Sequence, residues 1–596
     1  MRSRFPAFSS RALQRHLGMP EKAELWTAAF LFVAAIFCKL WNVFRYQFDS
    51  DESQHLHVIW AWTHGFVQYR DVFDNHMPLF QLLCAPLLAL MGERAAVLYW
   101  MRLLMVPLYL LTAWCLYRLG AVAFSRRTGV WAVGLLAGMS VYQFCSTEFR
   151  TDNLWALLWF LCLLVLVRNP FTVQSFITGG LLLGLCFAVS MKTLLLLAAI
   201  VSAMGVAIAL VGWRRLDLSA RQVSLGAGVF VLCAAIVPAL VMTFFAVKGV
   251  WPYFVHDVFA HNIEPTDRTG YLNLILLAAG LPVLLYGTRR FIRHETDPIV
   301  AFRHAFLLFV CGAYFLLMRS AWPHATRQNY LPFFPLLSLL CAAGLVQASE
   351  KLQARGPGSL RWIVRRFSLP AMVAVLVMFL DLGLRLPTTD ETASEMNLVR
   401  DVLVLTKPRD YVFDCKGETV FRSRCVPDVF ETITLGHMAR GEVTHDIARR
   451  CIETNTRVAV IGGDIPRSDE DFIEANFLPV GNEVRVAGHF LPPVSAAHAA
   501  IPFHISMADD YEVLSATGPA AGLLDGTPLT GPRFLSAGEH AFEPDHPGPP
   551  LAVLWARAAG LHFSPFQPSA NEHPIRSAEM HPPFLRPVHL FGRRSL

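Results

Sequence analysis

Charge is scarce in this chain. Only 16% of its 596 residues are Asp, Glu, Lys or Arg, whereas a soluble globular protein carries about 25%. Hydrophobic residues make up 54%, and the mean hydropathy is +0.43. This balance excludes an ordinary soluble domain. Small residues that would mark a cleavage site are also lacking after Arg2, Arg4, Arg11 and Arg15, so the long apolar run that follows reads as a first span and not as a removed signal. No Gly-rich phosphate loop is present. "VIGGD" lacks the spacing and reads as a turn that ends a strand. Cysteine is thin outside the apolar part, with only Cys415, Cys425 and Cys451 there. In an oxidising compartment Cys415 and Cys425 are candidates for a disulfide, though spacing does not fix the pairing. The net charge of +6 follows membrane topology and does not indicate a nucleic-acid partner.

What is present is a series of apolar runs. Candidate spans are Leu25–Phe44, Val97–Leu119, Gly129–Thr147, Asn153–Val167, Ser175–Met191, Thr193–Val211, Val223–Val247, Leu272–Tyr286, Ile299–Met318, Tyr330–Ala348 and Leu369–Leu386. Pro78–Met91 is short, contains Pro86, and reads as an interfacial helix. With that helix lying flat, Arg118/Arg126/Arg127, Arg214/Arg215/Arg221, Arg289/Arg290/Arg293/Arg303 and Lys351/Arg355/Arg361/Arg365/Arg366 all fall on one side. The positive-inside rule makes that side cytoplasmic. The expected architecture is a polytopic α-helical membrane protein with about eleven spans, outer juxtamembrane helices and an outer C-terminal tail.

The opposite loops hold the carboxylates and histidines. The first carries Asp49, Asp51, Glu52, His55, His57, His64, Asp71, Asp74 and His76. Later loops carry Glu148, Arg150 and Asp152, then His256, Asp257 and His261, then Arg319 and His324. Ionisable groups at membrane depth are costly and often functional. Glu264, Asp267 and Arg327 instead read as solvated loop residues. Residues Asp51 to His64 have helical spacing, with Asp51 and His55 four apart and Asp49 a candidate N-cap. Such carboxylates can deprotonate a hydroxyl, hold a divalent metal or relay protons. Lys192 lies at an outer end between two apolar runs, where it either serves a site or snorkels.

Four stretches, in order on the same side, carry a resemblance: "DSDES", "YRDVFDNHMPLFQLLCAPLLALMG", "EFRTDNLWALLWFL" and "RQNYLPFFPLLSLLCAAGL". They resemble the GT-C superfamily of polyprenyl-phosphate-sugar-dependent membrane glycosyltransferases, in its protein O-mannosyltransferase and lipid A aminoarabinose transferase branch. The resemblance spans Leu25 to Leu386. It implies a polyprenyl-phosphate-linked sugar as donor and a glycan, lipid or protein as acceptor. It also implies a first-loop Asp that activates the acceptor, matched best by Asp51 followed by Glu52, with Asp49 as a neighbour that stays open. The second-loop acid maps to Asp152, and the cations that handle phosphate map to Lys192 and Arg319. His76, Asp74, His324 and Tyr330 complete the implied donor contacts. Some members bind a divalent metal ion near the first loop, for which Glu52, Asp74 and His76 are the available ligands. Two positions depart from the pattern: His76-Met77-Pro78 replaces Lys-Pro-Pro, and Asn329-Tyr330 replaces His-Tyr.

The expected organisation is a cytoplasmic segment over 1–24, a GT-C-like catalytic domain over 25–386, an α/β domain over 387–495, a β-sandwich over 496–566 and a flexible tail over 567–596. Within the tail, "DYVFDC" and "RVAVIGGD" read as strands, and "VTHDIARRCIETN" and "DEDFIEANF" as helices. The expected function is an inverting glycosyltransferase of a bacterial inner membrane with its site outside. The rival is a flippase for lipid-linked sugars. A flippase should show inverted repeats and midplane charges. Here no clear repeat is visible, and Asp381 is the one acid placed mid-span.

Overall fold

The computed structural model describes residues 22–262, 268–322, 325–354, 368–444, 446–463, 465–493 and 499–566. They form two compact units. The first comprises residues up to Tyr46, Asn75–Phe80 and Met101–Thr389; the second comprises Gln47–Asp74, Gln81–Trp100 and residues from Asp390 onward. The loop after the first apolar helix therefore belongs to the same unit as the tail sequence.

The first unit is helical. Among the described residues, seven helices are long and apolar enough to cross a membrane: Lys22–Val43, Val97–Ala123, Thr151–Arg168, Thr193–Val211, Ala220–Val247, Ile275–Ile292 and Pro298–Ala321. The other four expected spans are helical too: Val173–Val189 and Phe334–Ala354 are continuous, and the remaining two are interrupted. The third breaks at an extended Met139 into Arg126–Gly138 and Ser140–Cys145. Asp381 explains the break. Its carboxylate accepts from Ser140 N at 2.9 Å and Ser140 Oγ at 3.0 Å, satisfying the start of the second piece. Asp381 itself lies in a π-helical turn, Met378–Leu382, that follows Leu369–Val377. The mid-span acid is thus a cap for a neighbouring helix.

Four of the described helices that start at the arginine-rich ends carry side-chain caps, which satisfy N–H groups that are costly to leave bare near lipid. Ser125, Thr172, Ser219 and Asp297 accept from Thr128, Ser175, Gln222 and Ile299 backbone N–H groups respectively. Small residues set the closest packing. A Cβ at Gly180 would stand 2.5 Å from Phe230 O, and one at Gly184 would stand 2.8 Å from Ala234 O. This four-residue glycine spacing lets Val173–Val189 and Ala220–Val247 meet backbone to backbone.

The second unit is built on a nine-stranded sheet. Its main path runs Arg533–Leu535, Asp509–Ser515, Leu551–Trp555, Val484–Leu491, Val458–Val460, Tyr411–Phe413 and Ser423–Arg424. The strands Tyr411–Phe413, Ser423–Arg424 and Val458–Val460 are parallel, and the remaining pairings are antiparallel. A four-stranded sheet over Ile501–Ile505, Gly522–Leu524, Thr527–Pro528 and Gly538–Pro544 accompanies it. Asp525 and Gly526, both at positive φ, make the tight hairpin expected of Asp-Gly. The helices read in the tail appear as Ile447–Glu453 and Arg467–Asn476. The expected boundary at 495/496 does not separate two sheets. Leu551–Trp555 is buried along its whole length and pairs with Val484–Leu491, joining both regions.

The helix Leu79–Met91 has 13 residues. At about 1.5 Å per residue it is too short to span about 30 Å of hydrocarbon, in line with its sequence pattern.

Candidate functional site

The first-loop acids lie around the helix Ser50–Thr63, in the second unit. Asp49 is its N-cap: its carboxylate accepts from Asp51 N at 3.1 Å, while Glu52 Oε1 accepts from Asp49 N at 2.9 Å. This is a capping box, and it gives Asp49 and Glu52 structural duties. Glu52 is fully buried, while Asp51 keeps 17% of its side chain exposed. Of the three acids, Asp51 is the one whose carboxylate lies outside the capping box.

Asp51 Oδ1 accepts from Lys416 Nζ, contributed by the tail sequence of the same unit. Lys416 also contacts Glu431 Oε2 at 3.3 Å, so one ammonium bridges two carboxylates. The turn that carries Lys416 is moulded by a buried network. Asp414 accepts from Gly417 N at 2.8 Å, Thr419 N at 3.1 Å and Arg424 Nε at 2.6 Å. Gly417 sits at φ +100°, and a Cβ there would meet His57 Cβ at 3.1 Å. The turn therefore lies against the helix only because this residue lacks a side chain. Burial pushes His57 below its ordinary value and keeps it neutral. Its Nδ1–H donates to Val420 O at 2.9 Å.

The rest of the loop is held internally. Asp74 accepts from Gln68 and Gln81 side-chain amides at 2.7 and 2.8 Å. Asp71 takes a two-pronged contact from Arg70, both at 2.8 Å. His55 is buried within the helix. Glu93 accepts from Trp60 Nε1 and Arg422 Nη1, each at 2.9 Å, which ties the loop to the tail.

Burial, with the nearby Asp414 charge, pushes the neighbouring Glu418 carboxyl up to about 7 from an ordinary 4.5. Across that window the folded unit keeps a proton that the unfolded chain has released. Stability therefore falls as pH rises from about 4.5 to 7 and levels off above. Glu418→Gln should flatten this slope. Melting of the detergent-solubilised protein at about pH 5 and pH 7.5 checks it, with only the wild type losing stability at the higher pH.

The second cluster lies in the first unit, at the N-terminal ends of two helices. Asp152 opens Thr151–Arg168, and Lys192 precedes Thr193–Val211. Lys192 Nζ donates to Asp152 Oδ1 at 2.6 Å, and Arg150 Nε stands 3.5 Å from Oδ2. The Asp152 side chain is fully buried. Lys192 also lies 5.3 Å from the centre of the Trp155 ring, whose Nε1 donates to Thr193 Oγ1 at 2.9 Å. Two cations around one carboxylate leave the cluster net positive. Arg150, named from sequence among the ionisable loop residues but given no role, is a full member.

Around this cluster, Glu148 accepts from Gln328 Nε2 at 2.8 Å and Arg327 Nη2 at 3.3 Å. Arg327 also donates to Tyr46 Oη at 2.6 Å, so it is anchored and is not the plain solvated residue expected. Arg319 is exposed and donates to Asn273 Oδ1 at 3.1 Å. The Tyr330 ring packs 5.9 Å from that of Phe315. His76 belongs to this first unit, and His324 lies outside the described residues.

Residues 75–241 match the dolichyl-phosphate-mannose-protein mannosyltransferase family. The structure is similar to apo ArnT from Cupriavidus metallidurans, with a TM-score of 0.54 at 14% identity, covering 78% of this chain and 98% of that one. This chain has the GT-C fold. The same ArnT bound to undecaprenyl phosphate gives a TM-score of 0.52 at 14% identity, again covering 78% of this chain and 98% of that one. No curated protein sequence matches. The GT-C fold here carries a net-positive cluster in its helical unit and a lysine-held acid in its second unit.

Proposed function

We propose that this protein is an inverting glycosyltransferase of a bacterial cytoplasmic membrane, with its outer loops and tail on the extracytoplasmic face. It moves a sugar from a polyprenyl-phosphate donor to a glycan, lipid or protein acceptor. The observation that supports this most is Asp51. Among the Asp49, Asp51 and Glu52 carboxylates it is the one outside the capping box, and a long, flexible ammonium holds it.

In this reading Lys416 yields Asp51 to the acceptor. Asp51 takes the acceptor hydroxyl proton as its oxygen attacks the anomeric carbon. The bond from that carbon to the phosphate oxygen breaks, the polyprenyl phosphate keeps the electron pair, and configuration inverts. The leaving phosphate is anionic at neutral pH and calls for cations, not a second acid as in a glycosidase. Arg150 and Lys192 supply them, and exposed Arg319 is a second source. His76, His324 and Tyr330 remain proposed donor contacts. The metal set Glu52, Asp74 and His76 fits poorly, because Glu52 turns back onto its own helix and Asp74 is bonded to two amides. No step is routed through a metal.

The test uses proteoliposomes with a labelled polyprenyl-phosphate sugar and envelope acceptor extract. The expected result is free polyprenyl phosphate and labelled acceptor in equal amounts. Label that crosses the bilayer without product would instead establish a flippase.

A further inference from the structure

The three cysteines of the outer unit are not equivalent. Cys415 directs its Sγ toward Gly463 O at 3.9 Å. Cys425 and Cys451 instead face each other with sulfurs 3.6 Å apart, and both are fully buried. The pairing that spacing suggested, Cys415 with Cys425, is not the one the fold presents. Cys425 directly follows the strand Ser423–Arg424, and Cys451 lies within the helix Ile447–Glu453. Arg450 Nε donates to Cys425 O at 3.2 Å, holding the two segments in register.

We propose that Cys425 and Cys451 are joined by a disulfide in the mature protein. This rests on the reading that the tail lies outside, in an oxidising compartment. Bonded sulfurs stand about 2.05 Å apart, so these need to close by about 1.5 Å, a side-chain adjustment. The oxidant is an external disulfide. One cysteine thiolate attacks it to form a mixed disulfide and releases one thiol. The second cysteine thiolate then displaces the other thiol as the internal bond forms. Two electrons pass to the external disulfide, and the two protons end on its released thiols. Because both sulfurs are buried in the finished fold, the exchange happens while the tail folds. The bond is afterwards shielded from reductants.

The bond has a place in the site. Arg424, the neighbour of Cys425, donates to Asp414 Oδ1, Asp414 O, Cys415 O and Asp428 O. Asp414 in turn holds the turn that presents Lys416 to Asp51. Fixing Cys425 to a helix therefore braces the residue that organises this turn. Neither sulfur touches Asp51.

The test is peptide mass spectrometry of full-length protein, denatured in alkylating reagent with and without prior reduction. The expected result is one Cys425–Cys451 cross-linked peptide without reductant, lost on reduction, with Cys415 alkylated in both. Alkylated Cys425 and Cys451 in unreduced protein would overturn the proposal. Protease treatment of intact spheroplasts then separates the premises. A tail cut from outside leaves the outer-face reading standing and removes the disulfide alone; a protected tail removes both. As a second readout, the Cys425→Ser/Cys451→Ser double variant should melt about 5 °C below wild type. Wild type denatured under reductant should match it. Equal melting of all samples would contradict a stabilising bond.

Discussion

Lys192→Met should be among the most damaging single substitutions in the helical unit. It leaves the fully buried Asp152 carboxylate without the ammonium 2.6 Å away, with Arg150 farther off at 3.5 Å. Removing one member of a buried ion pair typically costs about 3–5 kcal/mol. The folded fraction and melting temperature in detergent should fall accordingly. The double variant Asp152→Asn/Lys192→Met removes both charges and should recover most of the folding. It should not recover transfer, because the cation proposed to meet the leaving phosphate is gone. Size-exclusion profiles with transfer assays separate the effects. A Lys192→Met variant that melts like wild type would show that the pair does not hold these helix ends together.

Asp51→Asn should do the opposite, leaving the fold and removing the chemistry. The substitution keeps the shape of the side chain. It leaves the Asp49–Glu52 capping box intact and Lys416 paired with Glu431. Loss of a general base typically lowers the rate by about 10²- to 10⁴-fold. Melting should shift little, since Lys416 keeps a second carboxylate, Glu431, when the Asp51 charge is removed. Asp49→Asn distinguishes the neighbouring acids: an amide still accepts at an N-cap, so that variant should keep most activity. Equal losses from both would return Asp49 to the chemistry.

Much of this was legible in the chain because it is written locally. Hydrophobic runs located the helices. Asp49 with Glu52 three residues on is an N-terminal signature readable by eye. Asp152 and Lys192 sit at the facing ends of neighbouring helical segments, which the threading already placed on one side. That they neutralise one another was not readable, since no pattern states a contact across 40 residues.

The partnership of Asp51 with Lys416 was further out of reach. The two are 365 residues apart, and nothing in the periodicity of either segment refers to the other. The same reason hid the true division of the chain. Tail strands were found one by one, but their pairing is non-local, so the α/β and β-rich stretches read as separate domains. One cue was available: "LAVLW" is apolar throughout, the mark of a strand covered on both faces and therefore central. Such a strand needs neighbours on both sides, and Val484–Leu491 is one of them.

The central claim is that the protein transfers sugar through Asp51. Mass spectrometry of envelope glycolipids, glycans and glycoproteins tests it most directly, in cells carrying wild type, Asp51→Asn or no copy. The account predicts one sugar-modified species present with wild type and absent from the other two, although Asp51→Asn protein is folded and in the membrane. Identical envelope profiles in all three would contradict it.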